Sequence, residues 1–236
     1  KVWTSYAHLA DYQELLVRTD STAPKHSGIT WVICDMRSPG IDVRTIETLH
    51  GQEHFCEVFY DAVRIPVTNI VGELNDGWRV AMSTLSFERG TAFLAAQIEL
   101  AQRVEELIDT ARQNTGPDGR RPAIADDEIA RRLAAARAEV ASLRAMTYAT
   151  VSRIAKQSEP GPEASMVRLH FSLVTQSVYR LAMDLLGPRS LHMDENDRVG
   201  QWSWGYLDSF RGTIAAGTKD IQRNIIGERV LHLPRS

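Results

Sequence analysis

The chain changes character within residues 75–96, which read NDGWRVAMSTLSFERGTAFLAA. Before this stretch, short segments rich in β-branched and aromatic residues alternate with turn-forming Pro and Gly, which is typical of strands. After it, apolar residues recur at steps of three and four, which predicts long helices. The sequence therefore predicts an α+β fold, with an antiparallel β sandwich or barrel in residues 1–74 and an antiparallel four-helix bundle in residues 75–236.

The individual elements follow from the same patterns. Strands are predicted at residues 15–19, 30–34, 41–44 and 58–60. The first helix is predicted to run from about residue 75 to residue 113, and the third from about residue 163 to residue 186. The second helix carries one apolar stripe, formed by Ile129, Leu133, Ala136, Val140, Leu143, Thr147, Val151 and Ile154. Thr218 has the chemistry of an N-cap for a last helix.

The composition sets broad limits on function. Hydrophobic residues make up 43% of the chain and charged residues 24%, as in ordinary globular proteins. The net charge of -3 argues against non-specific binding to nucleic acid. Cys34 and Cys56 are too far apart for a zinc-site spacing and give no disulfide framework, which fits a cytoplasmic protein. No apolar run is long enough to span a membrane. The sequence starts at Lys1 within an apparent strand, and we interpret it as a piece of a longer chain.

Glu88 is the most unusual residue of the first predicted helix. Its helical neighbours three and four residues away are Thr84, Leu85, Thr91 and Ala92, which are all small or apolar. We expect a carboxylate there to be desolvated, which raises its pKa and suits it to proton transfer. The alternative is a surface glutamate paired with an arginine, and the pattern alone leaves both open.

Several common site motifs are absent. The sequence has no GxGxxG after a strand, no P-loop, no GxSxG and no HExxH. His50 and His54 lie where a loop leads into a strand, so we expect structural or surface residues rather than metal ligands. The arginines between residues 112 and 137 alternate with acids, which predicts a solvated face, with a phosphate contact as the alternative.

Two short segments remain as candidate binding sites. Trp3, Thr4 and Ser5 place an aromatic ring beside two hydroxyl groups at the start of the β part. Residues 217–222, GTKDIQ, place a glycine at a helix N-terminus, where an anion or a cofactor edge can bind. Each pattern is also common in ordinary strands and helices.

Together these features resemble the acyl-CoA dehydrogenase family. The resemblance covers nearly the whole chain, and its motifs are specific as a set. They are KVWTS at 1–5, FYDAVRIP at 59–66, DGW at 76–78, GPEAS at 161–165, LAMDLLG at 181–187 and GTKDIQRNII at 217–226. Members of this family have an N-terminal helical domain, a middle β domain and a C-terminal four-helix bundle. The resemblance implies that the first domain and the start of the second lie outside this sequence.

The resemblance implies a function. A glutamate would take the α-proton of an acyl-CoA thioester and flavin N5 the β-hydride, in the oxidation of fatty, branched or sterol side-chain acyl groups. It further implies FAD as cofactor, electron-transfer flavoprotein as acceptor, and a homo- or heterotetramer. In this family the residues that match Trp3, Thr4, Ser5, Thr218 and Gln222 contact the cofactor, with Thr4 beside N5.

The base occupies one of two positions in this family. Many members carry a glutamate two residues before the threonine that matches Thr218, where this chain has Ala216. Others carry it on the first bundle helix, directly before an arginine, and there this chain has Glu88 and Arg89. The resemblance therefore implies Glu88 as general base, with Arg89 positioning the base or the substrate.

Small residues surround Glu88 in the sequence. Thr91, Ala92 and Ala95 would leave room for a bulky or branched acyl group. The pocket also depends on residues outside this sequence.

Two stretches depart from the family pattern. Residues 112–116, with Asp127 and Ala130, replace an Arg-x-x-Phe-Gly run and its following glutamines, and residues 184–188 replace Gln-Leu-His-Gly-Gly. Both changes weaken expected contacts to the flavin of a neighbouring subunit. One alternative is therefore a non-catalytic or flavin-poor subunit of a heteromer. A separate alternative is an oxidase or other flavoenzyme on the same fold.

Overall fold

The chain forms two compact units, residues 1–86 and 87–236. The structure is a computed structural model, and it describes residues 1–91, 93–157, 161–194, 196–197 and 199–234, with their side chains except those of 86–91 and 157. Strands dominate the first unit and helices the second. The domain boundary expected between residues 74 and 75 stays a prediction.

The strands of the first unit form two antiparallel sheets. Their strand orders are β1-β5-β4 and β2-β3-β6. The strands are β1 (Thr4–Ser5), β2 (Tyr12–Arg18), β3 (Ile29–Asp35), β4 (Ile41–Ile46), β5 (Phe55–Tyr60) and β6 (Ile70–Val71). All four strands expected from the sequence are present, whereas β1 and β6 are two residues long and carry no alternation from which to predict them.

The two sheets pack against each other through apolar side chains. Leu15, Val32 and Cys34 of the second sheet are buried, and Ile41 and Tyr60 of the first sheet pack against them. Side chains alternate across each strand, so one face of each sheet supplies this shared core. Both cysteines are free and buried.

Helix α1 begins where a glycine lets it approach the sheet. A Cβ atom on Gly77 would lie 2.3 Å from the backbone nitrogen of Trp31, so any larger residue would push strand and helix apart. Just before it, the backbone nitrogen of Asn75 donates to the hydroxyl of Thr30 at 2.9 Å. The Thr30 side chain is fully buried and also lies 2.7 Å from the hydroxyl of Thr19. These contacts fix the point at which the β part gives way to helix.

The described helices match most of the predicted ones. They are α1 (Gly77–Thr91), α2 (Phe93–Gln113), α3 (Asp127–Gln157), α4 (Ala164–Leu186), α5 (Gly200–Ser209) and α6 (Lys219–Ile225). The single first helix of the prediction is described as α1 and α2, on either side of residue 92, which is outside the described residues. Short 3₁₀ segments lie at Val67–Asn69, Ala123–Ala125, Gly187–Leu191 and Phe210–Thr213, and a π turn at Ile226–Val230.

Helices α2 to α5 share one hydrophobic core. Its buried residues include Leu107 of α2, Leu143 of α3, Val178 of α4 and Trp202 of α5. The predicted stripe of α3 faces this core, since Leu133, Val140, Leu143 and Thr147 are buried. The stripe was predictable because its step of three to four residues keeps it on one side of the helix.

Ion pairs lie on the exposed surface of α2, α3 and the segment that joins them. Exposed arginines pair with acids three residues away, as in Arg112–Asp109, Arg121–Asp118 and Arg131–Glu128. The solvated face expected between residues 112 and 137 is therefore observed. Pairs of this kind each contribute only about 0–1 kcal/mol to stability.

In the part of the chain that the structure describes, no helix has the length and apolar character needed to cross a membrane.

Candidate active site

The first group of candidate residues lies on strand β1. Thr4 pairs with Cys56 and Ser5 with Phe55 at the edge of the first sheet. Trp3 has a left-handed φ of 63° and is 61% exposed, with its indole edge-on to the Phe55 ring at 6.0 Å. A bulky side chain in this backbone region is strained, and such strain is often found where a ligand binds. The exposed indole therefore offers a flat apolar surface beside two hydroxyl groups.

The second group lies at the start of α6. Thr218 caps this helix, as predicted, because its hydroxyl accepts a hydrogen bond from the backbone nitrogen of Ile221 at 3.3 Å. One turn further on, Gln222 is only 3% exposed. Its Nε2 donates to the carbonyl oxygen of Ala216 at 3.0 Å and, more weakly, to that of Gly217 at 3.4 Å. Its Oε1 is buried and has no hydrogen-bond partner among the described residues.

These two groups fit a flavin by their chemistry. A buried polar atom normally has a hydrogen-bond partner. The buried Oε1 of Gln222 can therefore accept a hydrogen bond from an N–H or O–H group of a bound ligand. The exposed Trp3 ring fits a flat aromatic ring system by stacking. The structure brings Trp3, Thr4 and Ser5 together in one unit, and Thr218 and Gln222 together in the other. Their roles toward a cofactor stay predictions.

Glu88 and Arg89 lie in helix α1, as predicted. Their side chains are outside the described residues, so the expected desolvation of the Glu88 carboxylate stays a prediction.

His50 and His54 lie close to each other. His50 is buried, and its ring centroid lies 5.6 Å from that of His54. Among the residues that the structure describes, no cluster of three or more His, Cys, Asp or Glu side chains is arranged to hold a metal ion. Their assignment as structural or surface residues stays a prediction.

A cleft of about 610 Å³ opens in the helical unit beside the segment that precedes α6. Helices α2, α4 and α5 form its walls, and Ala215 and Ala216 lie at its border. Its lining combines apolar and aromatic side chains with three arginines and three acids, namely Phe93, Leu100, Phe171, Tyr179, Arg103, Arg168, Arg211, Glu99, Glu106 and Asp208. Its volume falls within the range of small-molecule sites.

Arg168 is the residue in this cleft that sequence reasoning missed. It lies on α4, half-buried, and its Nη2 donates to the carbonyl oxygen of Ala215 at 2.6 Å. Its guanidinium carbon lies 6.0 Å from the centroid of the Phe93 ring. Burial lowers the pKa of Arg168, and the nearby charge of Arg211 lowers that pKa further. The available signal was a single charged residue, an arginine, in the segment 164–169, ASMVRL.

The two stretches that depart from the family pattern make ion pairs within the chain. Arg112 pairs with Asp109 at 2.8 Å, and Arg132 donates to the carboxylate of Asp184 at 2.7 Å. Gly187 then ends α4 with a left-handed φ of 53°. These side chains are therefore already engaged by their own bundle.

The fold gives this chain two parts, a β sandwich followed by a helical bundle, and each part supplies candidate site residues. Comparison with known families identifies the second part. The model of the acyl-CoA dehydrogenase C-terminal domain matches residues 75–231, which is more than half of the chain. The chain belongs to the acyl-CoA dehydrogenase family, as its motifs indicated.

Individual relatives agree with this assignment. The chain is 37% identical over 236 residues to acyl-CoA dehydrogenase IpdE1 of Mycobacterium tuberculosis, and it covers 58% of that protein. The solved ChsE4-ChsE5 complex from Mycobacterium tuberculosis matches 99% of the chain with a TM-score of 0.85 and 29% identity, over 60% of the matched chain. The solved Tcur3481-Tcur3483 steroid ACAD matches 100% of the chain with a TM-score of 0.89 and 26% identity, over 60% of the matched chain.

These likenesses confirm the predicted α+β fold, with a β domain followed by a helical bundle. The chain spans less than two thirds of the length of each of these relatives.

Proposed function

We propose that the protein containing this chain is a flavin-dependent acyl-CoA dehydrogenase in which Glu88 takes the α-proton of the acyl group. The proposal rests on the residues at the two positions where members of the family carry the catalytic glutamate. Ala216 stands where many members have the glutamate, and Glu88 precedes Arg89 on α1 where other members keep it. An alanine cannot accept a proton, so the chemistry needs a base from elsewhere. Family membership supports the reaction class.

Other residues of this chain would bind the cofactor and position the base. Trp3 and Thr4 would hold the cofactor from the β unit, and Thr218 and Gln222 from the helical unit. Bound FAD would supply the acceptor for the hydride that leaves the β-carbon. Glu88 would act as general base, a role commonly worth about 10²–10⁴-fold in rate. Arg89 would keep the carboxylate or the substrate in position.

A second candidate is a non-catalytic or flavin-poor subunit of a heteromer. Its support comes from the two altered stretches, where Arg112 and Asp184 are engaged in ion pairs within the chain. One relative, ChsE4-ChsE5, is solved as a complex. From the family resemblance we also propose a tetramer of one or two kinds of chain, with electron-transfer flavoprotein as the electron acceptor.

Purification of the full-length protein by itself separates the two candidates. The first predicts a yellow protein with the visible absorption bands of a flavin, which turns over acyl-CoA when electron-transfer flavoprotein is supplied. The second predicts a colourless protein that gains flavin only when a second subunit is co-expressed. Rapid oxygen consumption with acyl-CoA and no added acceptor would instead indicate an oxidase.

We also propose that the acyl group is bulky or branched. The small side chain of Ala95, the volume of the cleft beside Ala216 and the likeness to a steroid ACAD support this. Thr91 and Ala92, which the sequence adds to this argument, have side chains outside the described residues. We expect kcat/KM to be at least about tenfold higher for a polycyclic acyl-CoA than for butyryl-CoA, since each methylene that fits an apolar pocket contributes roughly 1–3 kcal/mol. Activity confined to short linear acyl-CoAs would contradict it.

A further inference from the structure

The turn that precedes α6 has a backbone that needs support from its surroundings. Ala216 and Gly217 are consecutive residues with positive φ, 52° and 94°. The left-handed region suits glycine, but for alanine it is unfavourable because Cβ approaches the following carbonyl. Residues in such conformations persist only where neighbouring contacts hold them. We refer to residues 215–217 as the 215–217 turn.

Each carbonyl of the 215–217 turn accepts a hydrogen bond from a side chain. Gln222 donates to the carbonyls of Ala216 and Gly217, and it lies only six and five residues further along the chain. This clamp ties the turn to its own helix α6. This clamp alone would not prevent the turn and α6 from moving together relative to the other helices.

Arg168 is different because it joins the turn to another helix. It donates to the carbonyl of Ala215 at 2.6 Å from α4, 47 residues away in sequence. A charged donor makes a stronger hydrogen bond than a neutral one, and partial burial strengthens it further. Among the described side chains, Arg168 has no carboxylate partner within salt-bridge distance. Its guanidinium group instead contacts this carbonyl and the face of the Phe93 ring.

We propose that Arg168 is a positioning residue that anchors the 215–217 turn to α4 and thereby sets the place of Thr218 and Gln222. The role of these two residues toward FAD rests on the proposed function. Arg168 itself acts through the turn and does not touch the reacting atoms.

Substitution of Arg168 in the full-length protein tests this role. We expect Arg168→Met to raise the dissociation constant for FAD by roughly ten- to a hundredfold, the range for a lost hydrogen bond from a charged group. Arg168→Lys keeps a charged donor and is expected to recover most of the affinity. Arg131→Met removes an exposed arginine from α3 and is the matched control, expected to leave FAD affinity unchanged.

Amide hydrogen exchange gives a measurement that does not depend on flavin. Arg168→Met should speed exchange in residues 214–218, while Arg168→Lys and Arg131→Met should leave it as in the parent protein. Unchanged exchange and unchanged FAD affinity in Arg168→Met would overturn the proposal. Equal loss in the Met and Lys variants, with a lowered unfolding midpoint in both, would also overturn it, because it would show a role in stability alone.

Different results would contradict the proposed function and the anchoring role of Arg168. If the full-length protein binds no flavin and turns over no acyl-CoA, the proposed function falls. Faster exchange in Arg168→Met alone would then still support the anchoring of the 215–217 turn.

Discussion

Glu88→Gln is expected to lower the turnover of acyl-CoA by about 10²–10⁴-fold, the usual contribution of a general base. The amide has nearly the size and polarity of the carboxylate, so the helix and the bound flavin should be retained. It cannot accept the α-proton, so exchange of that proton with solvent deuterium should be lost as well. Turnover with an artificial acceptor, proton exchange and flavin content measured on one preparation check the prediction.

Two further variants test whether the loss of turnover is specific to the carboxylate of Glu88. Glu128→Gln changes an exposed carboxylate on α3, where it pairs with Arg131, and should leave turnover unchanged. The double variant Glu88→Gln with Ala216→Glu returns a carboxylate to the other position that the family uses, and should recover part of the activity. Recovery is expected to be incomplete because residue 216 has a left-handed backbone. Wild-type turnover in Glu88→Gln would remove this residue from the role of base.

Leu107→Ala is expected to lower the free energy of unfolding of the helical unit by about 2–5 kcal/mol. Leu107 lies on α2 with 0% of its surface exposed, inside the core shared by α2 to α5. Alanine is a better helix former than leucine, so the loss would come from the cavity and the lost apolar contacts rather than from the helix itself. Urea unfolding followed by far-ultraviolet circular dichroism measures it.

An exposed leucine supplies the matched control for this substitution. Leu191 is 88% exposed at the end of a 3₁₀ segment, and Leu191→Ala should change stability by no more than about 0.5 kcal/mol. Equal effects of the two substitutions would show that α2 does not pack as described.

Repetitive features of the fold were predictable from the sequence. The stripe of α3 follows from its spacing, and the four longer strands follow from their β-branched and aromatic residues. The Thr218 cap follows from one side chain and its own backbone. Helix α5 was missed because Gly200 and Gly205 lower its helix propensity. The structure shows why Gly205 is present, since a Cβ atom there would lie 2.3 Å from the ring of Tyr179. A contact between two helices, rather than local propensity, therefore determines this residue.

Some features of the candidate site were also predictable from the sequence, and others were not. Residue types that match the family, such as Trp3 and Gln222, could be named from the sequence. That Gln222 turns its amide back to Ala216 could not, because several rotamers are open to a glutamine on a helix. The bond from Arg168 to Ala215 joins residues 47 positions apart, and no periodicity reports such a pair.

The reductive half-reaction tests the central claim most directly. The full-length protein, purified with its flavin, is mixed without oxygen with an acyl-CoA, and the visible flavin absorption and the enoyl-CoA product are measured together. The account predicts that the absorption disappears and that one enoyl-CoA forms for each flavin reduced, and that Glu88→Gln with the same flavin content shows neither change. Flavin that stays oxidised in the parent protein, or that is reduced equally fast in Glu88→Gln, would contradict it.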